Sequence, residues 1–362
     1  MAYSKATNCT ALRAVKGWNT GRRPVLRLHR GSAAVRILFA EAEGITLSHP
    51  VCVTEDGPAA VRTTADAPSP ESPILVVGMS RSGTKWLSNM LCHHPDLVGA
   101  QSVVHGGILE TTMLGQADEA FGDLARIDRY VALIELWAGS DFFRAIGANA
   151  RDLYTANPRP KTAVAMFERV MKEYRDRSGA RAWVQKTNPR WGLHAASAVS
   201  GSRVIIVHRD FRTFLQSAIK HLRNVRVEVS TTRLAASYAA DERRLRQLAR
   251  QRRTLWIEYE ELKQNRGTVA DRLCKYLQIE PRPEMLNDKF RPNTSFADGC
   301  KRESVLRSRD WAWARGVYSA ARCIPLPVVE LVRRFFPSPG VEVINGTYSE
   351  LCREHDLVAP AA

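Results

Sequence analysis

The chain has 362 residues, of which 44% are hydrophobic and 25% charged, enough for one large α/β domain with appendages. A formal net charge of +16 points to a polyanionic ligand, an acidic acceptor or an anionic surface. Lys and Arg are dispersed without a nucleic-acid recognition signature, and no apolar run nears the ~20 residues that span a bilayer. The composition therefore predicts a soluble protein with neither a nucleic-acid partner nor a membrane span. Its seven cysteines are scattered, odd in number and never in C-x-x-C spacing. That excludes a disulfide framework and a zinc site, and suits a reducing, cytoplasmic setting.

Residues 1 to about 40 contain no Asp or Glu, while Lys5, Arg13, Lys16, Arg22, Arg23, Arg27, Arg30 and Arg36 are basic. Such a start reads as an organelle-targeting segment or as a basic arm. Short apolar groups between 31 and 63 suggest a strand pair, and Thr63 to Pro73 reads as a linker. Residues 1–72 are thus expected to be an extension, and 73–362 the catalytic domain.

Ile74 to Val77 is an unbroken apolar run with β-branched residues, the mark of a strand buried on both faces. Gly78 ends it, Ser80-Arg81-Ser82-Gly83-Thr84 makes a small polar turn, and Trp86, Leu87, Met90 and Leu91 recur at helical spacing. A strand running through such a turn into a helix N-terminus forms an anion site. Arg81 and Lys85 add cations there, and Ser82 and Thr84 add hydroxyls. Gly78 and Gly83 have the spacing of a nucleotide-triphosphatase loop, but Thr84 precedes Lys85. The swap turns the cation about 100° around a helix of ~3.6 residues per turn, away from a magnesium-triphosphate arrangement.

His94-Pro95-Asp96 stops the helix, and Leu97 to Ala100 is short and apolar. His105, Gly106, Gly107 and Glu110 follow, then helices expected near 117–138 and 161–177 that form a lid or an acceptor-side insert. Ala182 to Gln185 predicts a second strand, leading into Lys186-Thr187-Asn188-Pro189. Arg203 to Val207 predicts a third, followed by His208-Arg209-Asp210 and a helix over 211–223. Thr231 to Arg253 reads as a long helix, Thr254 to Tyr259 as a fourth strand and Glu260 to Leu277 as a helix. Strands alternating with helices predict a doubly wound parallel α/β sheet with its ligand site at the carboxyl ends. Beyond about 290, Trp311 and Trp313 are expected to anchor a helical C-terminal region.

Four anchors, taken in order, resemble the sulfotransferases that use 3′-phosphoadenosine-5′-phosphosulfate (PAPS). Ser80 to Trp86 is similar to the family's 5′-phosphosulfate loop, and Lys186-Thr187 to its Lys-Thr pair. Arg203 to Ser217 resembles its 3′-phosphate element, with Arg209 and Ser217 eight residues apart. Tyr259-Glu260-Glu261-Leu262 resembles its segment near the adenine. The likeness covers about 73 to 280.

The resemblance implies donor-binding roles for Arg81, Ser82, Gly83, Thr84, Lys85, Trp86, Arg209, Ser217 and Tyr259. It implies catalytic roles for Arg81 and Lys186, adenosine 3′,5′-bisphosphate as product, and no required metal. Where many cytosolic relatives keep Lys-Thr-His, this chain has Asn188. Where Golgi and protein-tyrosine branches keep a glutamate, Gln101, Ser102 and Val103 stand. His105 matches a histidine of some glycosaminoglycan enzymes and is the expected base, with Glu110 in reserve. Lys85 resembles the same branch. A small-molecule, carbohydrate or peptide acceptor is implied, and a homodimer is left open. A P-loop kinase and a non-catalytic polyanion-binding protein are the rival readings.

Overall fold

The computed structural model describes residues 71–103, 105–224, 230–252, 254–287 and 308–329. The expected basic arm, early strand pair and nearly all of the linker lie outside them.

Five parallel strands form the central sheet: β1 (Ile74–Gly78), β2 (Leu97–Val98), β5 (Ala182–Thr187), β6 (Arg203–His208) and β7 (Thr254–Glu258). Their order is β2-β5-β1-β6-β7, so the chain winds to one side of β1, then returns to the other. This reversal opens a crevice beyond the carboxyl end of β1. Every residue of β1 is buried, and its side chains alternate between two cores. Leu75 and Val77 face one, Ile74 and Val76 the other. Full burial of each such side chain contributes about 1.5–3 kcal/mol, which fixes the register of the central strand.

On one face lie α1 (Thr84–Leu91), α10 (Tyr259–Gln264) and α11 (Arg266–Leu277), through Leu87, Met90, Leu91, Leu262, Val269, Leu273 and Leu277. The opposite face is covered by α7 (Pro189–Ala198), α8 (Phe211–Asn224) and α9 (Thr231–Gln251), with α12 (Ser308–Cys323) packed on α9. Between β2 and β5 the insert contributes a small hairpin, β3 (Gln101–Ser102) with β4 (Gly107–Ile108). Helices α2 (Gln116–Phe121), α3 (Ile127–Ala138), α4 (Asp141–Ala145), α5 (Ala150–Tyr154) and α6 (Ala163–Arg177) follow it.

Several sequence expectations change. The helix expected over 117–138 is two helices, separated where Gly122 adopts φ 62°. The helix expected over 260–277 breaks at Asn265. Helix α7 was not anticipated, although its start carries a readable signature: Asn188 Oδ1 accepts from Trp191 N at 3.2 Å, with Pro189 in the first turn. Tyr259 begins α10 rather than ending β7. Of the two tryptophans expected to anchor the last helix, Trp311 packs against Phe211 at 5.5 Å between ring centres. Trp313 stays exposed and donates from Nε1 to Thr232 Oγ1 at 2.9 Å. Among the described residues, no helix is long and apolar enough to cross a membrane.

Candidate functional site

The carboxyl ends of β1, β5, β6 and β7 deliver one residue group each to the crevice. From β1, the chain turns through Arg81, whose φ is 68°, and Gly83, whose φ is 93°. Gly83 is required twice over, since a Cβ there would also lie 2.7 Å from Tyr259 Cδ2. Leu87 N donates to Gly83 O at 3.0 Å, so the N–H groups of residues 84–86 precede the first intrahelical bond. They open at the positive end of the α1 dipole.

Four cations gather around this turn: Arg81, Lys85, Lys186 and Arg209. Arg209 is only 8% exposed. Its Nη1 donates to Arg81 O at 2.8 Å and its Nε to Thr213 Oγ1 at 3.2 Å, and its guanidinium lies 4.1 Å over the Tyr259 ring. Arg81 Nε reaches Ser217 Oγ at 3.5 Å. Burial, and then the neighbouring Arg209, disfavour the charge on Arg81. Burial, then Lys186, likewise lower Lys85, with Glu110 opposing. Like charges held close and partly desolvated favour an anion between them.

Glu110 brings a carboxylate to this group, pairing with Lys186. Desolvation works to raise the Glu110 pKa, but Lys186, by charge and hydrogen bond, and Lys85 hold it below the usual carboxylate range. Its side chain is 76% exposed, so this pair can open at little cost.

Helix α1 also holds the β3–β4 hairpin. Lys85 Nζ donates to His105 O at 2.7 Å. One turn on, Asn89 Nδ2 donates to Gly106 O at 3.1 Å, and Asn89 Oδ1 accepts from Ile108 N at 2.7 Å. Gly107, at φ 110°, leaves room for that amide, because a Cβ would lie 2.1 Å from Asn89 Oδ1. The His105 ring points from the hairpin to the insert, with Nε2 2.8 Å from Asp141 Oδ2. Since a carboxylate only accepts, Nε2 carries the hydrogen of that contact.

Most residues expected at the site therefore converge: Arg81, Gly83, Thr84, Lys85, Trp86, Lys186, Arg209, Ser217 and Tyr259. Ser82 is placed differently from the expectation of an anion-facing hydroxyl. It is fully buried, and both its N–H and its Oγ donate to Met79 O, at 3.1 and 2.7 Å. Ser82 thus closes the turn from inside. Tyr259 has one ring face covered by Arg209 and meets Trp86 edge-on at 6.4 Å between centroids. It supports the turn from below. Asp210, the residue after Arg209, caps α8, its Oδ1 accepting from Arg212 N and Thr213 N at 3.0 Å each.

Sequence reasoning gave no site role to Asn89, Asp141, Thr213 or His221. Two had a readable signal: Asn89 follows Lys85, and His221 follows Ser217, by the four residues that place side chains on one helical face. Asp141 carries no such signal, since it comes from a separate helix.

A family model described as "Sulfotransferase family" matches residues 73–283. No curated protein matches the chain in sequence. Among solved structures, the chain is similar to the sulfotransferase domain from the Synechococcus PCC 7002 olefin synthase. Identity is 17% and the TM-score 0.40, over 75% of this chain and 98% of that one. A sulfotransferase from Alicyclobacillus acidocaldarius is also 17% identical, with TM-score 0.38 over 72% of this chain and 98% of that one.

Proposed function

The chain belongs to the sulfotransferase family, and from that premise we propose that it transfers the sulfuryl group of PAPS to a hydroxyl or amine acceptor. One observation carries the reading: the α1 turn and the Arg209–Ser217 element meet in one crevice, joined through Arg81. PAPS has anionic groups at both ends of its ribose and so requires two separated but adjoining cation sites. When bound, it supplies an activated sulfuryl group.

The side chains then divide the work. Residues 84–86 offer main-chain N–H groups to the 5′ end. Arg209 and Ser217 hold the 3′-phosphate; charge-assisted bonds of that kind contribute about 1.5–3 kcal/mol each. Arg81, Lys85 and Lys186 carry the charge that develops on the transferred group and the bridging oxygen. His105, turned by Asp141, presents Nδ1 to take the acceptor's proton. Residues 73 onward form the catalytic domain.

Labelled PAPS offered with carbohydrate, phenolic, lipid and peptide acceptors tests the reading. Transfer to one class, undiminished by EDTA, is expected. Activity lost in EDTA and restored by magnesium would favour phosphoryl chemistry. Tight binding of adenosine 3′,5′-bisphosphate with no transfer to any acceptor would leave a binding protein.

A further inference from the structure

Behind the crevice, at the ends of β6 and β7, a chain of hydrogen bonds runs through a histidine that the donor reading does not use. His208 is the last residue of β6, and its side chain is 12% exposed. Its Nδ1 lies 2.7 Å from Glu258 Oε2, and its Nε2 lies 3.0 Å from Tyr238 Oη. Tyr238 comes from α9 and is buried. Its hydroxyl also donates to the main-chain oxygen of Arg209 at 2.8 Å. Glu258 Oε1 accepts from Trp256 Nε1 at 2.7 Å, and the Trp256 ring lies 5.2 Å from His208 between centroids.

The donors in this chain can be assigned. A carbonyl oxygen only accepts, so the single Tyr238 hydroxyl hydrogen points at Arg209 O. Burial first, and then Glu242, keep that phenol protonated. His208 Nε2 stays within hydrogen-bond reach of the same oxygen. Glu258, half-exposed and accepting from Trp256, acts as a carboxylate, so Nδ1 donates to it.

We propose that His208, held between Glu258 and Tyr238, is a positioning residue for the 3′-phosphate site. Through Tyr238 it fixes the peptide that follows Arg209, and hence the start of α8, where Thr213 receives the Arg209 guanidinium. Other contacts of Tyr238 are aromatic, with Phe211 at 5.1 Å and Phe214 at 5.0 Å, so its hydroxyl is not needed to fill space.

This inference rests on the donor reading above, and the test separates the two. In the full chain, Tyr238→Phe keeps the ring and removes only the hydroxyl. Calorimetry should show affinity for adenosine 3′,5′-bisphosphate falling roughly tenfold, the loss expected for one bond. Affinity for adenosine 5′-phosphate should stay within about twofold on the same reasoning. Glu258→Gln should show the same selective loss. Equal losses for the two nucleotides, or no loss in either folded variant, would overturn the positioning role. If the wild type does not prefer the bisphosphate, the donor reading itself fails, and the positioning role with it.

Discussion

The guanidinium of Arg209 donates to the main-chain oxygen of Arg81 at 2.8 Å, while Arg81 reaches Ser217 on the helix that Arg209 introduces. The two arginines thus tie the turn after β1 to the start of α8, and neither end of the crevice is independent of the other.

Arg209→Ala should therefore act at both ends, unequally. Loss of its charge at the 3′-phosphate removes about 1.5–3 kcal/mol from binding of adenosine 3′,5′-bisphosphate. Loss of its bond to Arg81 O, a neutral acceptor, costs the 5′ end less, about 0.5–1.5 kcal/mol. Calorimetry with the bisphosphate and with adenosine 5′-phosphate reads both. Arg209→Lys should restore little of either, because a single ammonium cannot serve Thr213 and Arg81 from a position stacked on Tyr259. Equal losses for both nucleotides would place Arg209 outside the 3′ site.

Deletion of residues 1–70 should leave a folded protein that still binds the bisphosphate. The sheet begins at Ile74, and Arg203 N donates to Pro73 O at 2.7 Å, so the strand edge is closed within the retained chain. An insoluble or non-binding truncation would show that the early segment belongs to the catalytic domain.

The sheet and the turn were legible in sequence because buried parallel strands leave unbroken apolar runs, and Gly78 and Gly83 mark the turn between strand and helix. The β3–β4 hairpin was not, because two-residue strands leave no period to read. Its cause lies in Asn89, whose amide replaces the longer ladder by bonding Gly106 O and Ile108 N directly. Ser82 was misplaced for a related reason: residue type gives a hydroxyl, but only the fold shows that it points inward to Met79 O.

That clamp can be tested at two adjacent glycines. Gly107→Ala places a Cβ 2.1 Å from a buried amide, at φ 110°, and should destabilise the protein by more than about 1–3 kcal/mol. Gly106→Ala meets nothing within 4 Å and bears only the cost of φ 66°, about 1 kcal/mol. Denaturant unfolding should rank them in that order. A reversed ranking would mean that Asn89 does not hold the hairpin.

His221 provides a pH signature. Burial, and then the charge of Arg81, hold its imidazole below the usual value. Between that lowered value and ~6.5 the unfolded chain binds more protons than the folded one, so stability rises with pH through this window. Below the window the penalty is complete; above ~6.5 it is gone. His221→Gln should flatten this part of the stability profile, and saturating adenosine 3′,5′-bisphosphate should do the same in the wild type by offsetting Arg81. Melting curves from about pH 5 to about pH 8 measure both. Parallel profiles for wild type and variant would remove His221 from the site.

The proton of the acceptor decides between two groups. General-base help is worth about 10²–10⁴ in rate, so losing the base should be plain in turnover. His105 has Nε2 committed to Asp141, an arrangement that fixes the orientation of the ring. Glu110 touches Lys186 directly, but that contact and Lys85 lower its basicity, and as a partner of Lys186 it better serves to hold that lysine in place. His105→Ala is therefore expected to lower kcat at least about a hundredfold, with nucleotide affinity nearly unchanged. Asp141→Asn should lower kcat less, because an amide can turn either its oxygen or its nitrogen to the ring. Glu110→Gln should change the affinity for donor more than kcat. If His105→Ala turns over near normally and Glu110→Gln does not, the proton goes to Glu110, and the His105–Asp141 pair is only a brace for the hairpin.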